Sequence, residues 1–133
     1  MPGGRATVVW LRRDLRLSDN PAIDAAMARG GPVVAAWVHA PAEEGISAPG
    51  AAARVFLHGA LASLAETLSG RGSGLVLRRG PSIKALIDLA RETGADAVFA
   101  NRVWEPPFLA RDEKAMAALR SSGLEARLFG DGV

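Results

Sequence analysis

Cysteine is absent from the 133 residues, which excludes disulfides and thiolate-bound metals and is compatible with a reducing compartment. Lysine is nearly absent too: Lys84 and Lys114 are the only two, and arginine supplies the remaining basic residues. Together with abundant alanine, this composition fits a GC-rich genome better than a surface selected for nucleic acid. The formal net charge is only +2 although the sequence pI is about 9.9, and so small an excess is not by itself a nucleic-acid footprint. No apolar run approaches the roughly 20 residues that span a bilayer, so no membrane partner is expected. The opening "MPGGRAT" has no hydrophobic signal core, and a cytoplasmic location is the expectation.

Several chemistries are missing as well. No G-x-G-x-x-G follows the first apolar run; "RRDLR" stands where a phosphate-cradling loop would be, and there is no Walker A sequence. A receiver domain needs an aspartate after its third strand, where this chain has Arg78-Arg79. His39 and His58 are too isolated to form a metal site, and no Ser-His-Asp set is apparent. Nothing offers covalent or general-base chemistry, so the residues favour ligand binding without catalysis.

What is present is a regular alternation of strands and helices. The length suits one domain and is too short for two. The first strand is expected at 7–11 and the first helix at about 21–29, with Asn20 as N-cap, Pro21 in the first turn and Gly30 at the exit. A second strand follows at 32–38. The loop "HAPAEEGISAPG" then runs over 39–50, long for a strand-to-helix connection and hence a candidate functional loop. The second helix is expected at about 51–68, with Leu57, Leu61, Leu64 and Leu68 along one face. A strand at 75–78 precedes a helix at 82–93, capped by Ser82, closed by Gly94 and buried through Ile83, Leu86, Ile87 and Ala90. A fourth strand at 97–100, the loop "NRVWEPP", a helix at about 108–121 and a strand at 124–129 complete the order. Strands alternating with helices of this length predict a Rossmann-like, doubly wound, five-stranded parallel sheet with helices on both faces. The closing "RLFGDGV", a strand ending in a turn, suggests a piece of a longer protein.

In such a sheet ligands bind beyond the carboxyl ends of the strands, where the winding reverses. The first strand delivers Arg12, Arg13 and Asp14 there. The second delivers Trp37, Val38 and His39, the third Arg78 and Arg79, and the fourth Asn101, Arg102, Val103, Trp104 and Glu105. Arg54 stands in the first turn of the second helix. Trp10, Trp37 and Trp104 all fall at or near these ends, and flat aromatic walls with a few polar groups describe a pocket for a planar ligand. A stand-alone nucleotide-binding or regulatory module of the wider Rossmann-like group remains open on these residues, as does a purely structural domain.

The segment "WLRRDLRLSDNPAI", Trp10 to Ile23, resembles the N-terminal signature of the DNA photolyase/cryptochrome family. "APGAAARVFLHGALASLAETL" is similar to the family's second helix, and "GLVLRRGPSIKALIDLARETGADAVFANRVWEP" to its third strand, third helix and fourth strand. "ARDEKAMAALRSSGLEARLF", with the pair Arg111-Asp112, resembles its fourth helix and fifth strand. The resemblance implies an N-terminal α/β domain that holds an antenna chromophore, followed in the whole protein by a helical domain that holds FAD and repairs pyrimidine dimers in damaged DNA, or serves a cryptochrome photoreceptor. It implies that FAD belongs to the absent C-terminal domain and that this chain alone repairs nothing. The implied antenna is methenyltetrahydrofolate, 8-hydroxy-5-deazaflavin or FMN. Arg54 matches the arginine that faces the deazaflavin, and Asn101 and Glu105 match the start and the acidic position of the fourth-strand loop. Pro107-Phe108 stands where folate-type members carry Asn-Glu, and Val103 where deazaflavin-type members carry aspartate. With Arg12, Trp37, Val38 and Trp104 these make the expected chromophore contacts, Arg12 and Arg54 steadying an anionic chromophore or its phosphate.

Overall fold

The computed structural model describes residues 5–11, 20–39, 74–103 and 106–130, together with Ala62 and Glu66, which are helical. Five parallel strands form one sheet: β1 (Thr7–Leu11), β2 (Val33–His39), β3 (Gly74–Arg79), β4 (Ala97–Asn101) and β5 (Glu125–Phe129). Three helices are described over their length: α1 (Pro21–Ala28), α2 (Ser82–Thr93) and α3 (Pro106–Ser121). The expected helix over 51–68 falls outside the described residues except at 62 and 66.

The strand order is β3-β2-β1-β4-β5. β1 is therefore central, flanked by β2 and β4, and all five of its residues are buried. Its run "TVVWL" is continuous rather than alternating because helices cover both faces. On one face Val9, Leu11, Ala35, Ala97 and Phe99 pack against Ala22, Ile23 and Ala26 of α1. On the other, Val8, Trp10, Ala36, Val98 and Ala100 pack against Leu86 and Leu89 of α2 and Ala115, Met116 and Leu119 of α3. The winding runs from β1 outward through β2 to β3, returns, and continues through β4 to β5. It reverses between β1 and β4.

Local sequence explains the helix boundaries. Asn20 is extended and accepts from the Ile23 N–H at 3.1 Å, while Pro21, whose missing N–H costs nothing in a first turn, starts α1. Gly30 and Gly94 take the left-handed conformation, φ 88° and 73°, as the exits from α1 and α2 require. The N-cap of α2 differs from expectation. Pro81 is the extended residue and occupies the cap, so Ser82 is already helical and buried rather than capping. On α2, Leu86 and Ala90 are buried as predicted, with Ala85 and Leu89, whereas Ile83 and Ile87 pack only partly against the core. On α3, Phe108, Asp112, Ala115, Met116 and Leu119 are buried at helical spacing. The helix begins two residues earlier than expected, at Pro106-Pro107, since two prolines are compatible with a first turn whose N–H groups have no intrahelical acceptor.

Candidate functional site

The carboxyl edge of the sheet places Leu11, the end of β2 and Asn101 side by side, with Trp37 in register with Leu11. Leu11 and Trp37 project to the α1 face, where Trp37 is half-buried and packs against that core. Asn101 bonds to the N-terminus of α1, so all three lie on one side of the sheet. Two strand spacings, roughly 10 Å, separate β2 from β4 across β1.

Asn101 is part of a polar network at the start of α1. Its Nδ2 donates to Asn20 Oδ1 at 2.7 Å, and its Oδ1 accepts from the Ala22 N–H at 2.9 Å. Asn20 Oδ1 also accepts from the Ile23 N–H, and the Asp24 N–H donates to the Asn20 carbonyl at 3.0 Å. Asn20 is fully buried. The expected ligand contact thus serves first as a second cap on α1 and ties that helix to β4 at the reversal point. The asparagine before a proline in "SDNPAI" signals the first cap; the second is invisible in sequence because 81 residues separate its partners.

The predicted tryptophan wall divides. Trp10 is fully buried and projects to the α2–α3 face, opposite to Trp37. In a strand successive side chains alternate, and Trp10 pairs in register with Ala36 rather than with Trp37. Trp10 is therefore a core residue and not a wall of the crevice. Its ring lies 5.2 Å from the guanidinium carbon of Arg111, which also sits 4.7 Å from the Phe108 ring. The Arg111 Nε donates to the buried Asp112 at 3.2 Å. The same alternation turns Val38 to the α2–α3 side, where it packs partly against the core. Trp37 and Val38 thus meet the crevice on different faces.

Of the remaining expected contacts, Val103 is half-buried just beyond β4. Arg12, Arg54, Trp104 and Glu105 lie outside the described residues. His39 is exposed at the rim, its ring 5.8 Å from that of Trp37, and its carbonyl accepts from the Gly80 N–H at 2.8 Å. Arg78 forms a two-pronged contact with Glu92 on α2, at 2.8 and 3.0 Å, which raises its pKa and keeps it firmly charged. Asp88 accepts from Lys84 at 2.9 Å and is held below the usual carboxylate range by that hydrogen bond. The first pair joins β3 to α2 and the second lies along α2 itself. Among the described residues no group of His, Asp or Glu is arranged to hold a metal ion, and no helix is long and apolar enough to cross a membrane.

A doubly wound parallel domain whose winding reverses between β1 and β4 is what the fold defines. The model of the DNA photolyase family matches residues 7–133, and the chain belongs to that family as its N-terminal α/β domain. It is 42% identical over 127 residues to cryptochrome-1 of Arabidopsis thaliana, covering 95% of this chain and 18% of that protein. It is 42% identical over 122 residues to deoxyribodipyrimidine photo-lyase of Agrobacterium fabrum, covering 92% of this chain and 25% of that one. The crystal structure of a bacterial class III photolyase from Agrobacterium tumefaciens superposes with a TM-score of 0.85 at 40% identity, over 94% of this chain and 25% of that one. The chain spans about a quarter or less of the length of these relatives. Members of the family bind an antenna chromophore and FAD and act on damaged DNA through a C-terminal FAD domain.

Proposed function

We propose that this chain is the antenna-binding domain of a DNA photolyase, holding a planar light-harvesting chromophore at the reversal point of its sheet and passing excitation to FAD in a separate helical domain. The observation that carries this reading is the placement of the half-buried Trp37 ring and of Asn101 on the same side of the carboxyl edge, astride β1. An antenna needs no acid, base or nucleophile. It needs an aromatic, partly dry slot that fixes the chromophore's orientation, because resonance energy transfer depends on distance and dipole angle. The absence of catalytic chemistry in the sequence agrees with that requirement. Repair of pyrimidine dimers is the work of the whole protein, and the same antenna role would serve a cryptochrome.

Methenyltetrahydrofolate, 8-hydroxy-5-deazaflavin and FMN are the candidate chromophores. Arg12 and Arg54 are the proposed partners of an anionic ring, with Trp37, Val103, Trp104 and Glu105 lining the slot; Val38, turned to the α2–α3 face, is not among them. Titration of the chain with each of the three, followed by absorption and by Trp fluorescence, tests the assignment. A chromophore band that sharpens or shifts saturably on binding is expected, and failure of all three to bind defeats the antenna reading. Arg54→Ala is expected to weaken an anionic chromophore by about 1–3 kcal/mol; unchanged affinity removes Arg54 from the site.

A further inference from the structure

We propose that the outer edge of β5 is complementary to a second copy of itself, and that Arg120 keeps the two from pairing. β5 bonds to β4 through Glu125, whose N–H donates to the Asp96 carbonyl at 2.9 Å, and through Phe129, whose carbonyl accepts from the Arg102 N–H at 2.8 Å. Successive residues of a strand turn their backbone groups to opposite sides. Glu125, Arg127 and Phe129 therefore serve β4, while Ala126 and Leu128 present their N–H and C=O groups to the outer edge. A carbonyl so presented is where a further strand would begin to pair. The Ala126 carbonyl instead accepts from Nε and Nη2 of Arg120, on α3, at 3.0 and 2.7 Å. A guanidinium thus stands where the N–H of an added strand would stand.

The residues of β5 say which strand would fit. An antiparallel pair about a two-fold axis at Ala126 lets the two Ala126 residues exchange both of their hydrogen bonds. On the α1 face it sets Glu125 of each copy opposite Arg127 of the other. Within one chain these two side chains approach only to 3.8 Å and are each about half exposed, so both charges are available to a partner. On the other face it sets Leu124 opposite Leu128, both already packed in part against the α2–α3 core. Centred on Arg127 instead, the pair would press two arginines together. The register with matched charges is thus centred on the carbonyl that Arg120 occupies.

This latch is independent of what the crevice binds. Arg120→Met keeps the aliphatic stem and removes the donors, and sedimentation of the parent chain and the variant over the same concentrations tests it. The variant is expected to dimerise at least about tenfold more tightly than the parent; equal association of the two overturns the proposal. Arg120 also ties α3 to β5, so a loss of folding would mimic association. Leu128→Pro, added to Arg120→Met, separates the two. The Leu128 N–H points outward, so proline spares the β4 ladder but blocks an added strand. A return to the parent's association state is expected, and association or aggregation that persists with the proline overturns the proposal. Arg127→Glu in the same Arg120→Met background should weaken the dimer by about tenfold, and an unchanged dimer overturns the paired register.

Discussion

The amino and carboxyl edges of the sheet are both sewn by long-range polar bonds, but with different groups. At the amino edge Arg29, the C-cap of α1, donates to Thr7 and to Asp96, the latter at 2.7 Å, while its guanidinium carbon lies 5.8 Å from the Phe99 ring. Backbone bonds extend the seam: Thr7 N–H to Pro32, Asp96 N–H to Ala6 and Glu125 N–H to Asp96. At the carboxyl edge the described bonds between α1 and β4 are uncharged, Asn101 to Asn20 and to the α1 backbone, while the Arg102–Glu113 ion pair, at 3.1 Å, ties the end of β4 to α3. An amide network of this kind holds geometry with little dependence on salt.

Four experiments break or sharpen this contrast. The largest effect is expected from Trp10→Ala, which empties the core beneath Arg111 near the carboxyl edge; chemical denaturation should show a loss of about 3–5 kcal/mol. A loss below that of an ordinary methylene deletion would mean the ring is not core. Next comes Asn101→Ala, which releases the Ala22 N–H and removes the donor to buried Asn20. About 1–2 kcal/mol of stability should go, and Ala22 should lose its hydrogen-exchange protection. If Ala22 remains protected, the second cap does not exist.

At the amino edge the ion pair is one-quarter and two-fifths exposed at its two side chains. A double-mutant cycle on Arg29→Met and Asp96→Asn should therefore give a coupling under about 1 kcal/mol, falling as salt rises. A coupling that ignores salt would show that packing on Phe99, not charge, holds Arg29. The smallest effect lies outside both seams. Asp88 is depressed by its bond to exposed Lys84, so the pair's contribution is present above the unfolded carboxylate pKa and is lost as pH falls through the lower folded value. The side-chain carboxyl carbon of Asp88 should titrate below an ordinary aspartate by NMR, and return to the ordinary range in Lys84→Ala.

Much of the fold could be read from the residues because the signals were local. The buried run of β1, the Asn20-Pro21 start of α1 and the glycines closing α1 and α2 each act within a few positions. That the strands run parallel followed from their alternation with helices, whereas their order in the sheet came from the structure. The errors arose where a local pattern met a tertiary one. Ser82 looked like a cap, but the proline before it already fixed the extended conformation that a cap requires. Trp10, inside a strand though near its end, read more readily as an ordinary core tryptophan than as a ligand wall, and the two-residue period of the strand turns it to the far face. Asn101 was placed correctly at the rim, yet its service to α1 depends on a partner 81 positions away, beyond any local pattern. The opening arginine cluster, with Arg54, Trp104 and Glu105, lies outside the described residues, and its share of the site rests on the family likeness.

The opposed orientation of Trp10 and Trp37 gives the molecule a native optical reporter on each side of the sheet. Trp10, sealed from water beneath a guanidinium, should emit toward the blue and change only when the α2–α3 layer separates. Trp37, half open beside the rim, should respond to whatever enters the crevice. With Trp104 replaced by phenylalanine, restoring one indole at a time would let loss of a layer and arrival of a pigment be followed as separate signals in the same chain.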